Sequence, residues 1–193
     1  MQIRQATAAD DADLVQFINM AADDLPLHFW RKSVGPDGDP IAYGRERARR
    51  DTGNFTYRNA WLAEQGGAVA ACLLGYMADA VPGPIDPDTP AIFIPLLQLE
   101  ALAPGSWYLN VLATYGPHRG HGLGTALLAH AETVARGYGA TQISLIAADT
   151  HQQARHLYTA KGYVEVARRP VVKGDWQVGA AEWILMTKAL PPA

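Results

Sequence analysis

Cysteine is almost missing from this sequence. Cys72 is the only one in 193 residues, so no internal disulfide can form, and no metal site is expected. It lies in the apolar run "AVAACLLGYM", which favours a buried structural thiol over a nucleophile. Excess charge is missing too. Sixteen basic against nineteen acidic residues leave a net charge of −3, so nothing suggests a nucleic-acid-coating surface or a polybasic membrane patch. No apolar run approaches the roughly 18 residues of a membrane-spanning helix. The opening "MQIRQATAADDADL" has no apolar stretch of the signal-peptide kind, so the cytoplasm is the expected location. Repeats and low-complexity linkers are also missing. The length suits one domain, 1–193, with a sizeable core.

The sequence does hold well-marked elements. Ile3–Thr7 alternates as a short strand. Thr7 and Asp10 form a capping-box pattern, and apolar residues at helical spacing predict a first helix from about Ala8 to Met20 or slightly beyond. "IAYGRERARR" reads as a second, charged helix whose arginines form a solvated face. "NAWLAEQGGAVAACLLGYM" is a hairpin turning at Gln65-Gly66-Gly67. Ala80 to Ser106 holds six prolines around "AIFIPLLQLEAL" and reads as an irregular insertion carrying a short helix, with Pro95 in its first turn. "SWYLNVLATYG" and "TQISLIAA" are buried strands. Between them a helix runs from about Gly122 to Arg136 and stops at Gly137 and Gly139. Asp149 or Thr150 is expected to cap a helix through Lys161, stopped by Gly162. "YVEVARR" and "AAEWILMTKAL" are two last strands, antiparallel across Pro170–Gly179. The order β α α β β (insertion) β α β α β β predicts an α/β or α+β chain with a mixed sheet.

The segment "YGPHRGHGLGTALLAHAETVARGYG", Tyr115 to Gly139, poses the functional question. Three closely spaced glycines, Gly120, Gly122 and Gly124, open a helix. A strand entering a helix through such a turn points free backbone N–H groups at one spot, where the helix dipole adds about half a positive charge. That is an anion site, and Arg119 adds a full charge. A P-loop fails because no lysine follows the glycines. A dinucleotide fingerprint fails on spacing and on position in the chain. Simple tight turning with close helix packing remains the competing account of the glycines taken alone.

The segment has a companion. Arg119-Gly120-His121-Gly122-Leu123-Gly124 fits [RQ]-x-x-G-x-[GA], and Ala126–Leu128 follow as "ALL". "HQQARHLYTAKGY", His151–Tyr163, fits N-x-x-A-x-x-L-Y-x-x-x-G-[FY] at Ala154, Leu157, Tyr158, Gly162 and Tyr163. Together these resemble the two signatures of the GNAT N-acetyltransferase superfamily. The resemblance extends over the chain outside the 80–106 insertion. It departs at His151, where the family often has an asparagine that bonds the pantetheine arm.

The resemblance implies a GNAT-like fold: a mixed, mostly antiparallel sheet with a splayed central parallel pair, here Trp107–Thr114 and Thr141–Ala147, flanked by helices. It implies acetyl-coenzyme A as co-substrate. Leu112, Ala113 and Thr114 would meet the pantetheine arm and polarise the thioester. Arg119, Gly120, His121, Gly122, Leu123, Gly124 and Thr125 would hold the pyrophosphate, and His151 would be a further cofactor contact. Tyr158 stands at the position of the acid that protonates the departing thiolate. No acid lies on "ISLIAA", so Glu64 and Glu100 are the candidate bases, beside a water chain. Asp23 and Asp24 could attract a cationic amine, and Trp30, Trp107, Tyr108 and Phe93 could wall its pocket. The expected acceptor is the primary amine of a small metabolite or amino-acid-like molecule. A peptide or protein amino terminus is the alternative, and a non-catalytic coenzyme A-binding module is a third reading. Family habit suggests a homodimer; neither nucleic acid nor membrane is an expected partner.

Overall fold

A computed structural model describes residues 1–191. Seven strands are hydrogen-bonded neighbours in the order β1-β2-β3-β4-β5-β7-β6: β1 (Gln2–Gln5), β2 (Ala60–Gln65), β3 (Ala68–Met77), β4 (Trp107–Thr114), β5 (Gln142–Ala148), β6 (Val164–Pro170) and β7 (Glu182–Ala189). The sheet is mixed and mostly antiparallel, with β4 and β5 its parallel pair. Six helices accompany it: α1 (Asp11–Ala21), α2 (Leu25–Val34), α3 (Pro40–Ala48), α4 (Ile94–Glu100), α5 (Leu123–Gly137) and α6 (Gln152–Ala160). Among the described residues, no helix is long and apolar enough to cross a membrane.

The chain forms two compact units. One comprises Met1–Tyr76 and Asn110–Ala131, the other Met77–Leu109 with the chain from Glu132 onward.

In the first unit, Leu14, Phe17 and Ile18 recur at helical spacing on α1 and pack into a core with Leu62, Cys72, Leu74, Val111 and Ala113. Asp10 accepts from the Thr7 N–H at 2.7 Å, as the capping pattern predicts. The hairpin also forms as read, with Gly66 and Gly67 at φ +63° and +83°, a left-handed pair that suits the twist of the flanking strands. Cys72 is fully buried on β3, and burial pushes its thiol pKa far up.

Two helices were expected before the hairpin and three are present. The extra one, α2, begins just after Asp23 and Asp24, both left-handed at φ +48° and +61°. Asn19 holds this corner. It is buried, its side chain donates to the Val15 carbonyl at 2.9 Å, and its oxygen accepts from the Leu27 N–H at 2.8 Å. Pro26 sits in the first turn of α2 and Gly35 ends it; that proline–glycine pairing is the sequence signal for a helix of this length. On α3, Asp39 caps through bonds from Ile41 and Ala42, and buried Asp11 of α1 receives Arg45 and Arg49 at 2.9 and 2.7 Å.

In the second unit, α4 packs against β5, β6 and β7. It is the short helix expected inside the insertion, and Pro95 lies in its first turn. Ser106 and Ser144, both buried, share a 2.6 Å hydroxyl contact beside the start of the parallel pair. α6 begins one or two residues later than the expected cap at Asp149 or Thr150 would start it. His151 is its N-cap, while Asp149 uses its carboxylate on the Ala181 N–H at 3.0 Å.

Candidate active site

β4 leads the chain into the glycine segment. Val111 and Ala113 face the first unit's core, while Leu112 and Thr114 are half-buried. The parallel ladder runs only from Trp107↔Ile143 to Leu109↔Leu145. Leu112, Ala113 and Thr114 thus lie past its end. Tyr115 anchors the strand terminus. Its N–H donates to the Ala70 carbonyl at 2.9 Å, its phenol donates to Asp13 of α1 at 2.7 Å, and its ring lies 4.2 Å from Phe17. Burial, and then the Asp13 carboxylate, push its pKa well up.

After a 3-10 turn at Gly116–His118, Arg119 folds back. Its Nε donates to the Thr114 carbonyl at 3.1 Å, so the exposed guanidinium stands beside the end of β4. His118 meets Gln65 at 2.9 Å. Gly120 and Gly122 follow at φ +79° and +80°, a conformation that costs a side-chain residue about 1–2 kcal/mol. A Cβ at either would meet nothing within 4 Å. Close helix packing therefore does not explain these two glycines; backbone conformation and open approach do.

The first bond of α5 runs from the Ala126 N–H to the Gly122 carbonyl at 3.0 Å. The N–H groups of Leu123, Gly124 and Thr125 precede it and lack intrahelical partners by construction. Among the described residues, none of the N–H groups from Gly120 to Thr125 has a chain acceptor. Six such donors at the positive end of a four-turn helix suit a diphosphate.

Tyr158 and His151 belong to the second unit. Tyr158 is 6% exposed on α6, its ring 5.9 Å from that of Tyr163. Its hydroxyl has no partner among the described residues, and burial alone raises its pKa. The phenol therefore stays protonated throughout the neutral range, as an acid that must donate requires. Gly162, at φ +87°, ends the helix as expected and turns Tyr163 into the core.

The two candidate bases separate clearly. Glu64 accepts from Arg4 at 2.6 Å, and Arg4 also grips Asp10, so its carboxylate is already engaged. Glu100, the last residue of α4, has no such partner. Burial raises its pKa to about 7, and its place at the negative end of a helix opposes ionisation further. This makes a stability prediction. The unfolded carboxyl ionises from about pH 4.5 and the folded one near 7, so the wild type loses stability across that window. Glu100→Gln should match wild type in acid and exceed it at pH 8 by up to about 3 kcal/mol, measured by urea unfolding. Equal pH dependence of the two proteins would show that Glu100 ionises normally.

Of the aromatic residues expected to wall an acceptor pocket, Trp30 packs into the first unit's core against Gly44, and Trp107 and Tyr108 are buried in the second unit. Only Phe93 is half-exposed. Among the described residues, no His, Cys, Asp or Glu group could hold a metal.

The model of the acetyltransferase (GNAT) family matches residues 15–163. A comparison with curated proteins gives no match. Solved structures resemble the fold across nearly the whole chain. A crystal structure described as an acetyltransferase is 21% identical at TM-score 0.70, covering 99% of this chain and 100% of its own. The Drosophila melanogaster polyamine N-acetyltransferase, described as forming N-acetylagmatine, is 15% identical at 0.66, covering 98% and 99%. A ribosomal-protein-alanine N-acetyltransferase from Brucella melitensis is 21% identical at 0.59, covering 98% and 100%.

Proposed function

The chain belongs to the acetyltransferase (GNAT) family, and from that premise we propose that it transfers an acetyl group directly from acetyl-coenzyme A to the primary amine of a small metabolite or amino-acid-like molecule. The observation that carries the cofactor half is the run of unpartnered N–H groups from Gly120 to Thr125 behind two left-handed glycines. In this reading His121, Gly122, Leu123 and Gly124 present main chain to the diphosphate, with Arg119 at the entrance. Leu112, Ala113 and Thr114 offer backbone groups past the parallel ladder to the pantetheine arm, and one N–H polarises the thioester carbonyl. His151 adds a contact to the arm. Tyr158 delivers the proton to the departing thiolate. The reading takes residues 1–193 as one acetyltransferase domain, with the 80–106 insertion on the acceptor side and a homodimer as the assembly.

A small cationic amine is favoured by Glu100, a half-buried carboxyl with no basic partner among the described residues. A peptide amino terminus is the second reading, since a protein of similar fold is named for that activity. The deciding experiment follows thiol release from acetyl-coenzyme A against small amines and against short peptides. Turnover with peptides alone would reverse the order of the two readings. Coenzyme A binding without turnover on any acceptor would favour a non-catalytic module.

Gly122→Val tests the loop. A β-branched residue at φ +80° is strained, and its side chain would project into the open approach. Affinity for acetyl-coenzyme A should fall at least about tenfold, roughly 1.4 kcal/mol, by calorimetry. Arg119→Ala should lose less, because an exposed charge is screened by salt. Full affinity in a folded Gly122→Val protein would remove the loop from the cofactor site.

A further inference from the structure

We propose that Asp13 of α1 and Tyr115 at the end of β4 are positioning residues for the diphosphate loop: the bond between them holds the run of free N–H groups in its receiving shape before the cofactor arrives. The proposal rests on the cofactor half of the acetyltransferase reading above and goes beyond it by naming what sets the loop. Every residue involved belongs to the first unit.

The chain that leaves β4 at Thr114 makes no α-helical bond until Ala126 donates to Gly122. Between those points Gly120 and Gly122 carry no side chain, and glycine has the most backbone freedom to lose on ordering. The same glycines that open the approach therefore loosen the loop unless its ends are fixed. Leu123, 2% exposed at the start of α5, fixes the far end. Tyr115 fixes the near end through three contacts. Its N–H donates to Ala70 of β3 at 2.9 Å, its hydroxyl donates to Asp13 at 2.7 Å, and its ring lies 4.2 Å from that of Phe17.

The following turn is built on this residue. The His118 N–H donates to the Tyr115 carbonyl at 2.9 Å, and the Arg119 N–H to that of Gly116 at 3.2 Å. The Arg119 side chain returns to the Thr114 carbonyl, and the His118 ring meets Gln65 of β2. A shift of Tyr115 thus carries His118 and Arg119 with it, the two residues before Gly120.

The ring alone would serve the packing on Phe17; the hydroxyl adds a fixed direction. Its acceptor stands on a firm base. Asp13 lies in the first turn of α1, where the positive helix end favours a carboxylate. Leu14, Phe17 and Ile18 seat that helix in the core, and Asp11 receives Arg45 and Arg49. The phenol–carboxylate bond is charge-assisted, the stronger class of hydrogen bond. It joins residues 102 positions apart, so only the folded unit can set the loop. A loop ordered beforehand binds more tightly because less ordering is left to be done on binding.

The test uses the full-length protein with coenzyme A. Affinity is read by calorimetry, and amide exchange at His118 and Arg119 by NMR. Tyr115→Phe keeps the ring and removes the bond. Its Kd should rise roughly tenfold, and both amides should exchange faster. Asp13→Ala should do the same, and the double variant should be no worse than either single one, since they share one bond. Asp13→Asn, whose amide oxygen still accepts from the phenol, should recover most of the affinity. In turnover the KM for acetyl-coenzyme A should rise while that for the acceptor holds. A bond that serves stability alone would lower the urea midpoint and leave Kd unchanged, so wild-type affinity in Tyr115→Phe overturns the proposal. Weaker affinity with unchanged amide exchange also overturns it, because the loop was then never released. If wild type binds no coenzyme A, the acetyltransferase reading fails by itself, and inorganic pyrophosphate becomes the probe. Tighter pyrophosphate binding to wild type than to Tyr115→Phe supports the tether; equal or no binding overturns it.

Discussion

Tyr158→Phe is expected to slow acetyl transfer by roughly 10²–10⁴, the worth of a positioned general acid. The substitution removes one oxygen and keeps a ring that is 6% exposed and packed near Tyr163. The hydroxyl has no partner among the described residues, so its loss orphans no group and stability should hardly change. Affinity for acetyl-coenzyme A should also change far less than the rate, because the acid acts where charge develops on sulfur. Taken alone, a tyrosine acid predicts a falling rate at high pH. Burial moves that limb upward, so the alkaline side of the profile should stay flat as far as Tyr158 is concerned. Single-turnover rates with the best acceptor make the check. A wild-type chemical step in Tyr158→Phe would make the residue a packing element only.

Gly44→Val should cost about 3 kcal/mol, enough to threaten a protein of ordinary stability. Gly44 is buried in α3, and a Cβ there would stand 2.4 Å from the six-membered ring of Trp30. The indole is in the first unit's core beside Phe17 and Leu14, so it has little room to retreat. The branched side chain adds to the clash without any gain in burial. Chemical denaturation should show the midpoint falling at unchanged slope. A variant as stable as wild type would mean that the two helices can part freely at Gly44. This contact also explains why Trp30 is no pocket wall: α2 and α3 meet through it.

The loop was readable because its constraint is local. Two glycines held left-handed at the mouth of a helix leave a mark in three adjacent residues, and the second signature ending at Tyr163 repeats the same kind of short-range logic. The hairpin, the Pro95 helix and the Gly162 stop were legible for the same reason. What escaped depends on residues far apart. α2 is fixed by Asn19 reaching across the corner to Leu27, and periodicity alone merged it with its surroundings, although Pro26 and Gly35 marked its ends. Asp149 looked like a cap and instead serves Ala181, thirty-two residues away. Sequence alone does not separate Glu64 from Glu100; only the fold brings Arg4, sixty residues away, onto the first. The aromatics misled because composition says that a tryptophan is present, not which way it faces.

The burial of Cys72 has a practical consequence. A folded protein whose only thiol is sealed inside β3, with its ionisation pushed far up, offers no thiolate to aromatic disulfide reagents. Colour from such a reagent in a reaction mixture then counts coenzyme A released, molecule for molecule, with no protein background to subtract. One thiol per chain appearing without acceptor would report unfolding instead, so a single cuvette distinguishes turnover from damage.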